Sequence, residues 1–262
     1  MSKIGIIGGS GLEDPEILKS AEEYNIENKY GKPSSPMICG KLDNTDVVIL
    51  SRHGREHRIS PSGVNNRANI LALKEAGCTH IISTTACGSL REEIRRGDIV
   101  IPDQFIDFTR HRSITFFDEF EPGKLGHTPM ADPFNRELRS LIIRTAGNIG
   151  LKIHEKGTVI TIEGPRFSTR AESNLFRIWG ADIINMSIAP EVILANELKI
   201  PYATIAMSTD YDSWKMDEDP VTWEEVLRVF NENVQNVLNL LREVIPRIYS
   251  TNLHSWLNDN PL

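Results

Sequence analysis

The chain has 262 residues, 40% hydrophobic and 25% charged, with a net charge of −7 and three cysteines. That length suits one α/β domain with a substantial core, and the acidic balance argues against a nucleic-acid surface, which carries a basic excess. The odd cysteine count (Cys39, Cys78, Cys87), with no C-x-x-C pair, argues against a disulfide framework, and no apolar run reaches the roughly 20 residues of a membrane helix. A cytoplasmic protein is expected.

Near-continuous Val, Ile and Ala runs predict strands at residues 3–7, 46–51, 80–85, 98–101, 158–162, 182–186 and 202–209. Runs without polar alternation belong to strands covered on both faces. Helical patterns lie between them, at 65–76 with Gly77 as a stop, at 133–146, at 171–179, and at 191–198 behind Pro190. The last helix is the clearest. Trp223, Val226, Phe230, Val234, Val237, Leu241 and Ile245 recur at three- and four-residue spacing, behind Thr222 with Glu225 three positions on, a capping-box arrangement. The alternation predicts an α/β fold with a central mixed β-sheet flanked by helices. It forms one domain over residues 1–250 with a polar tail over 251–262. The connection at 108–130 is long and aromatic, and such segments in compact domains are functional or interfacial.

Chemistry-bearing residues cluster where predicted strands end. Gly8-Gly9-Ser10-Gly11 is either a tight turn or a glycine loop whose N–H groups and Ser10 hydroxyl approach an anion. Arg52 and His53 follow the strand at 46–51, and a guanidinium fork suits phosphate oxygens. The run His53-Gly54-Arg55-Glu56-His57 matches an inverted zinc-protease motif, but Gly54, Pro61 and Gly63 break the helix which that chemistry needs; no metal is expected. Thr84-Thr85-Ala86-Cys87-Gly88 offers small residues and hydroxyls, with Cys87 read as a buried filler rather than a nucleophile. Glu163-Gly164-Pro165-Arg166-Phe167-Ser168 leaves Phe167 as either a base-stacking ring or core, and Asn185-Met186-Ser187 ends another strand. The sharpest signal is Thr209-Asp210-Tyr211-Asp212. Two carboxylates two apart on an extended chain share a side, and like charges so close push one pKa up, towards a proton donor.

These motifs, from Gly8-Gly9-Ser10-Gly11-Leu12-Glu13-Asp14-Pro15 through Thr84–Glu93, Thr161–Ser168 and Ile184-Asn185-Met186 to Thr209–Asp212, resemble one family: the methylthioadenosine phosphorylases, among the trimeric purine nucleoside phosphorylases. The resemblance implies cleavage of 5′-methylthioadenosine by inorganic phosphate, with no cofactor. It implies that Ser10, Arg52, His53, Thr85, Ala86 and Ser187 bind phosphate. Met186 would pack under the ribose, Phe167 and Ser168 would line the base site, Asp210 would face purine N7, and Asp212 would face the 6-amino group. Trp223, Val226 and His127 would close the 5′ end, His127 from a neighbouring subunit of a trimer or dimer of trimers. Relatives that prefer 6-oxopurines carry Asn at the position of Asp210, so Asp points to adenine. Ser10 and Ser187 stand where relatives often have Thr, and Trp223 where a smaller aliphatic residue is expected. A 6-oxopurine phosphorylase acting on inosine or guanosine is the nearer alternative, and a nucleoside-binding module without catalysis the remoter one.

Overall fold

In a computed structural model, residues 3–8, 18–120, 122–123, 126–217 and 222–250 are described. The strands are β1 (Lys3–Gly8), β2 (Lys19–Tyr24), β3 (Met37–Leu42), β4 (Thr45–Ser51), β5 (His80–Ser89), β6 (Ile99–Val100), β7 (Gln104–Phe108), β8 (Ile153–His154), β9 (Thr158–Ile162), β10 (Ile183–Asn185) and β11 (Tyr202–Tyr211). The helices are α1 (Asn66–Glu75), α2 (Arg136–Asn148), α3 (Arg170–Ile178), α4 (Ile188–Glu197) and α5 (Trp223–Ser250).

All these strands join one mixed sheet, ordered β2-β3-β4-β1-β5-β10-β9-β7, with β11 on β5 and a short branch through β6 to β8. The sheet forks at β5. Its first half lies parallel between β1 and β11, whereas Gly88 and Ser89 at its end also pair antiparallel with β10. β1, β5 and β11 are buried along nearly their whole length, as strands covered on both faces must be. One face packs on α2 and α5 through Leu138, Ile142, Phe230, Leu241 and Ile245; the other packs on α1 and α4 through Ile70, Leu73, Val192 and Leu194.

Helix starts follow local chemistry. Asn65 and Asn135 accept from the N–H groups of Ala68 and Leu138, and Thr169 with Glu172 closes a reciprocal capping box on α3. The Glu225 N–H donates to the Thr222 hydroxyl at 3.3 Å, one half of the box read from sequence. α4 begins at Ile188, earlier than expected, because Pro190 is tolerated anywhere in a first turn where N–H groups lack intrahelical partners. The strands that sequence periodicity misses, β2, β3, β7 and β8, lie towards the margins of the sheet, and β2 is exposed at every position. Among the described residues no helix is long and apolar enough to cross a membrane.

Candidate active site

The fork in the sheet brings several strand ends to one place. β4 delivers Arg52 and His53, the second half of β5 delivers Thr85 to Gly88, β10 delivers Asn185 to Ser187, and β11 delivers Asp210 and Asp212. The first turns of α5 close the side with Trp223, Val226 and Phe230 around a cleft of about 150 Å³. Its rim is apolar and open: Phe167 is 38% exposed and Trp223 42%.

One end of the cleft suits an anion. Arg52 is almost fully buried beside it. The Thr85 and Ser187 hydroxyls stand 3.2 Å apart across β5 and the start of α4. Ser187 is the N-cap of α4 yet makes no side-chain cap, so the positive end of the helix dipole faces this corner with its hydroxyl beside it. Asn185 orders the turn. Its Oδ1 accepts from the Thr161 hydroxyl at 2.8 Å, and that same hydroxyl accepts from the Ala189 N–H at 3.1 Å. The His53 Nδ1–H donates to the Ile59 carbonyl at 2.9 Å, which leaves Nε2 as the ring's other polar atom. Burial, and then the Arg52 charge, push His53 down to about 3, so the ring is neutral at physiological pH. Its ring stacks on His57 at 4.3 Å, and His57 meets the Trp223 ring at 5.0 Å. Residues Arg55–His57 form a short 3-10 turn in which Glu56 and His57 have positive φ, so the two histidines do not share an α-helical face as the zinc motif requires.

The other end carries the two carboxylates. β11 has a bulge at Thr209: Ser208 pairs with Cys87 and Asp210 with Gly88. Bulges re-aim side chains beside functional sites. After it the chain runs extended, so Asp210 and Asp212 both turn into the cleft, while Tyr211 turns away to pack on Trp214. The Thr209 hydroxyl donates to Asp210 Oδ1 at 2.8 Å, and the Ser168 hydroxyl donates to Asp212 Oδ2. Burial raises the Asp212 carboxyl above its ordinary range, against the Ser168 hydrogen bond, which lowers it. Two glycines make the close approach possible. A Cβ on Gly88 would stand 2.9 Å from Asp210 Oδ2, and one on Gly164, where φ is +66°, would stand 2.5 Å from the Met186 sulfur. Burial and the charge of Asp210 hold the Cys87 thiol well above its usual pKa, which fits a filler and not a nucleophile.

Of the residues singled out in the sequence, Arg52, His53, Thr85, Ala86, Phe167, Met186, Ser187, Asp210, Asp212, Trp223 and Val226 line this one cleft. Ser168 does not line it: it is buried behind Asp212 and holds that carboxylate. His127 lies exposed on the long connection, edge-on to Phe120 and outside the lining of this cleft. Ser10 and the tail at 251–262 lie outside the described residues. Sequence reasoning passed over Glu191, which grips Arg52 from α4; a lone carboxylate in the apolar run Ile188–Ala195 is the signal that marks it. Among the described residues no group of three or more His, Cys, Asp or Glu is placed to hold a metal ion.

The family model described as phosphorylase superfamily matches residues 3–246. An S-methyl-5′-thioadenosine phosphorylase of Danio rerio is 52% identical, over 98% of this chain and 92% of that protein. The chain belongs to the methylthioadenosine phosphorylases. The enzyme of that name from Hyperthermus butylicus is 54% identical over 94% of this chain and 88% of its own. Methylthioadenosine phosphorylase of Schistosoma mansoni, solved in complex with adenine, superposes with a TM-score of 0.93 at 39% identity, covering 98% of this chain and 96% of that one. A mutant of the Schistosoma enzyme holding methylthioadenosine gives 0.92. The mixed α/β architecture expected from sequence is the one these relatives share.

Proposed function

We propose that this chain cleaves 5′-methylthioadenosine with inorganic phosphate, giving adenine and 5-methylthioribose 1-phosphate. The observation that carries the reading is the polarity of the cleft: Arg52 and Ser187 gather at Thr84 and Thr85 of β5, whereas Asp210 and Asp212 lie beside Gly88 and Ser89 at the end of that strand. Breaking an N-glycosidic bond builds positive charge on the sugar and negative charge on the departing purine. Phosphate held at the Arg52 end attacks C1′ and stabilises the sugar cation. Asp210 donates a proton to N7 as the bond to N9 breaks, help worth about 10²–10⁴-fold. Asp212, fixed by Ser168, accepts from the 6-amino group. A 6-oxopurine sets an oxygen against that acceptor, which disfavours inosine and guanosine. Met186, pressed on Gly164, underlies the ribose. No cofactor takes part.

The assembly we propose is a trimer or a dimer of trimers. His127, with exposed Phe117 and Phe120 nearby on the same connection, reaches the 5′ end of a neighbour's cleft, and a catalytically competent monomer in solution would refute this. The setting is cytoplasmic, and the product adenine and sugar phosphate feed purine and methionine salvage. The substrate reading is tested by base release from methylthioadenosine, adenosine, inosine and guanosine, each with and without phosphate. Adenine nucleosides should be preferred, and Asp210→Asn should lose about 10²-fold or more on methylthioadenosine while keeping or gaining activity on inosine. An unchanged adenine-to-hypoxanthine ratio in that variant overturns the role of Asp210.

A further inference from the structure

Arg52 puts a cation at the phosphate end, but a long flexible side chain does not orient itself. Glu191, on α4, takes it in a two-point grip, accepting from Nε at Oε1 and from Nη2 at Oε2, the latter at 3.1 Å. Nη1 donates to the Thr84 carbonyl at 2.9 Å. The two side chains are 2% and 1% exposed. Glu191 is itself held. The Tyr202 hydroxyl donates to its Oε2 at 2.7 Å and lies 2.7 Å from the Ser83 hydroxyl, which is 2.8 Å from that of Thr204. Since Tyr202 spends its one proton on Glu191, Ser83 donates to Tyr202. Every hydroxyl in the chain supports the carboxylate, and the carboxylate fixes the guanidinium plane. Glu191 is absent from the lining of the cleft, whereas Arg52 is part of it.

We infer that Glu191 is the positioning residue of the phosphate site, and that Tyr202 acts through it: the buried pair sets the plane in which Arg52 meets the incoming anion. A buried ion pair is weak evidence of stability, because apolar replacements serve as well or better. Its location is what gives it meaning. One partner borders the cleft, and the other is anchored in the core by hydroxyls from β5 and β11.

The inference rests on Arg52 binding phosphate. Three variants test it, with phosphate varied at saturating methylthioadenosine and methylthioadenosine varied at saturating phosphate. In Glu191→Gln the amide N–H₂ opposes a guanidinium donor and the grip fails. The phosphate KM should rise about tenfold or more, the scale of one hydrogen bond to a charged group, while the nucleoside KM stays within about twofold of wild type. Glu191→Asp should restore part of the loss. Tyr202→Phe keeps both charges and deletes one hydroxyl; its phosphate KM should rise about threefold, a weaker version of the same split. If Glu191→Gln does not fold, Tyr202→Phe decides. A phosphate KM that is unchanged or lowered in a folded variant overturns the inference, as does a rise in both KM values together, which marks a merely structural role. An Arg52→Ala control separates the failures: if its phosphate KM is also unmoved, the phosphate site itself is misplaced, whereas a large rise there beside unmoved Glu191 and Tyr202 variants sinks this inference alone.

Discussion

Gly88 sits where the sheet forks, and replacing it with alanine perturbs the carboxylate pair while leaving both acids in the sequence. An added Cβ would lie 2.9 Å from Asp210 Oδ2 and 3.0 Å from Ile184 Cγ2, against the 3.4 Å at which ordinary contact begins. The carboxylate or the strand must therefore yield by about half an ångström. The carboxylate is tethered, since Thr209 donates to its Oδ1 and Asp210 pairs with Gly88 itself immediately after the bulge. Ile184 belongs to β10, which is paired on both sides. A misplacement of 1 Å costs about 10²-fold in rate, so half of that costs about tenfold. Gly88→Ala should accordingly lower kcat on methylthioadenosine about tenfold, with the phosphate KM near wild type because Arg52 is not displaced. Steady-state kinetics at saturating phosphate, with circular dichroism to confirm the fold, measure it. A folded Gly88→Ala enzyme with wild-type kcat would show that the placement of Asp210 does not limit the chemistry.

The Asp212 carboxyl is raised in the fold, so its contribution to stability is present below the unfolded pKa and lost as pH rises through the folded value. Asp212→Asn should therefore melt higher than wild type at pH 7.5, with the gap closing in acid, while its preference for adenine weakens; equal melting temperatures at pH 7.5 would contradict this. His53 behaves oppositely. With a folded pKa of about 3 and an unfolded one of about 6.5, its contribution is complete above the unfolded value and lost as pH falls towards 3. His53→Gln should lose less stability than wild type over that interval in denaturant titrations, and parallel losses would refute the assignment. Trp223 walls the outer end of the cleft against His57. Trp223→Val should raise kcat/KM selectively for nucleosides with 5′-alkylthio chains longer than methylthio, and an unchanged ranking of 5′ substituents would remove Trp223 from substrate selection.

The central strands were legible because burial on both faces demands unbroken apolar runs, as in β1, β4 and β11. The margins were not. β2 reads Lys-Ser-Ala-Glu-Glu-Tyr and is exposed throughout, so only its pairing with β3 makes it a strand. Polar residues that end an apolar strand, such as Arg52, Asn185 and Asp210, announced the cleft, because a buried polar group needs a purpose or a partner. What the sequence could not display is contact across distance. Glu191 lies 139 residues from Arg52 and looks like an ordinary helix residue until the fold closes. Ser168 resembled a base-site residue, and only the geometry sets it behind Asp212. The bulge at Thr209 has no signature in Ser-Thr-Asp, yet it sets the register from which Asp210 meets the cleft.

Phosphorolysis differs from hydrolysis in the fate of the sugar, and phosphorus-31 magnetic resonance reads that fate directly. With methylthioadenosine and phosphate, adenine and a sugar 1-phosphate should appear in equal amounts as inorganic phosphate disappears, and without phosphate no adenine should form. Adenine released at an undiminished rate without phosphate, alongside free methylthioribose, would contradict the account.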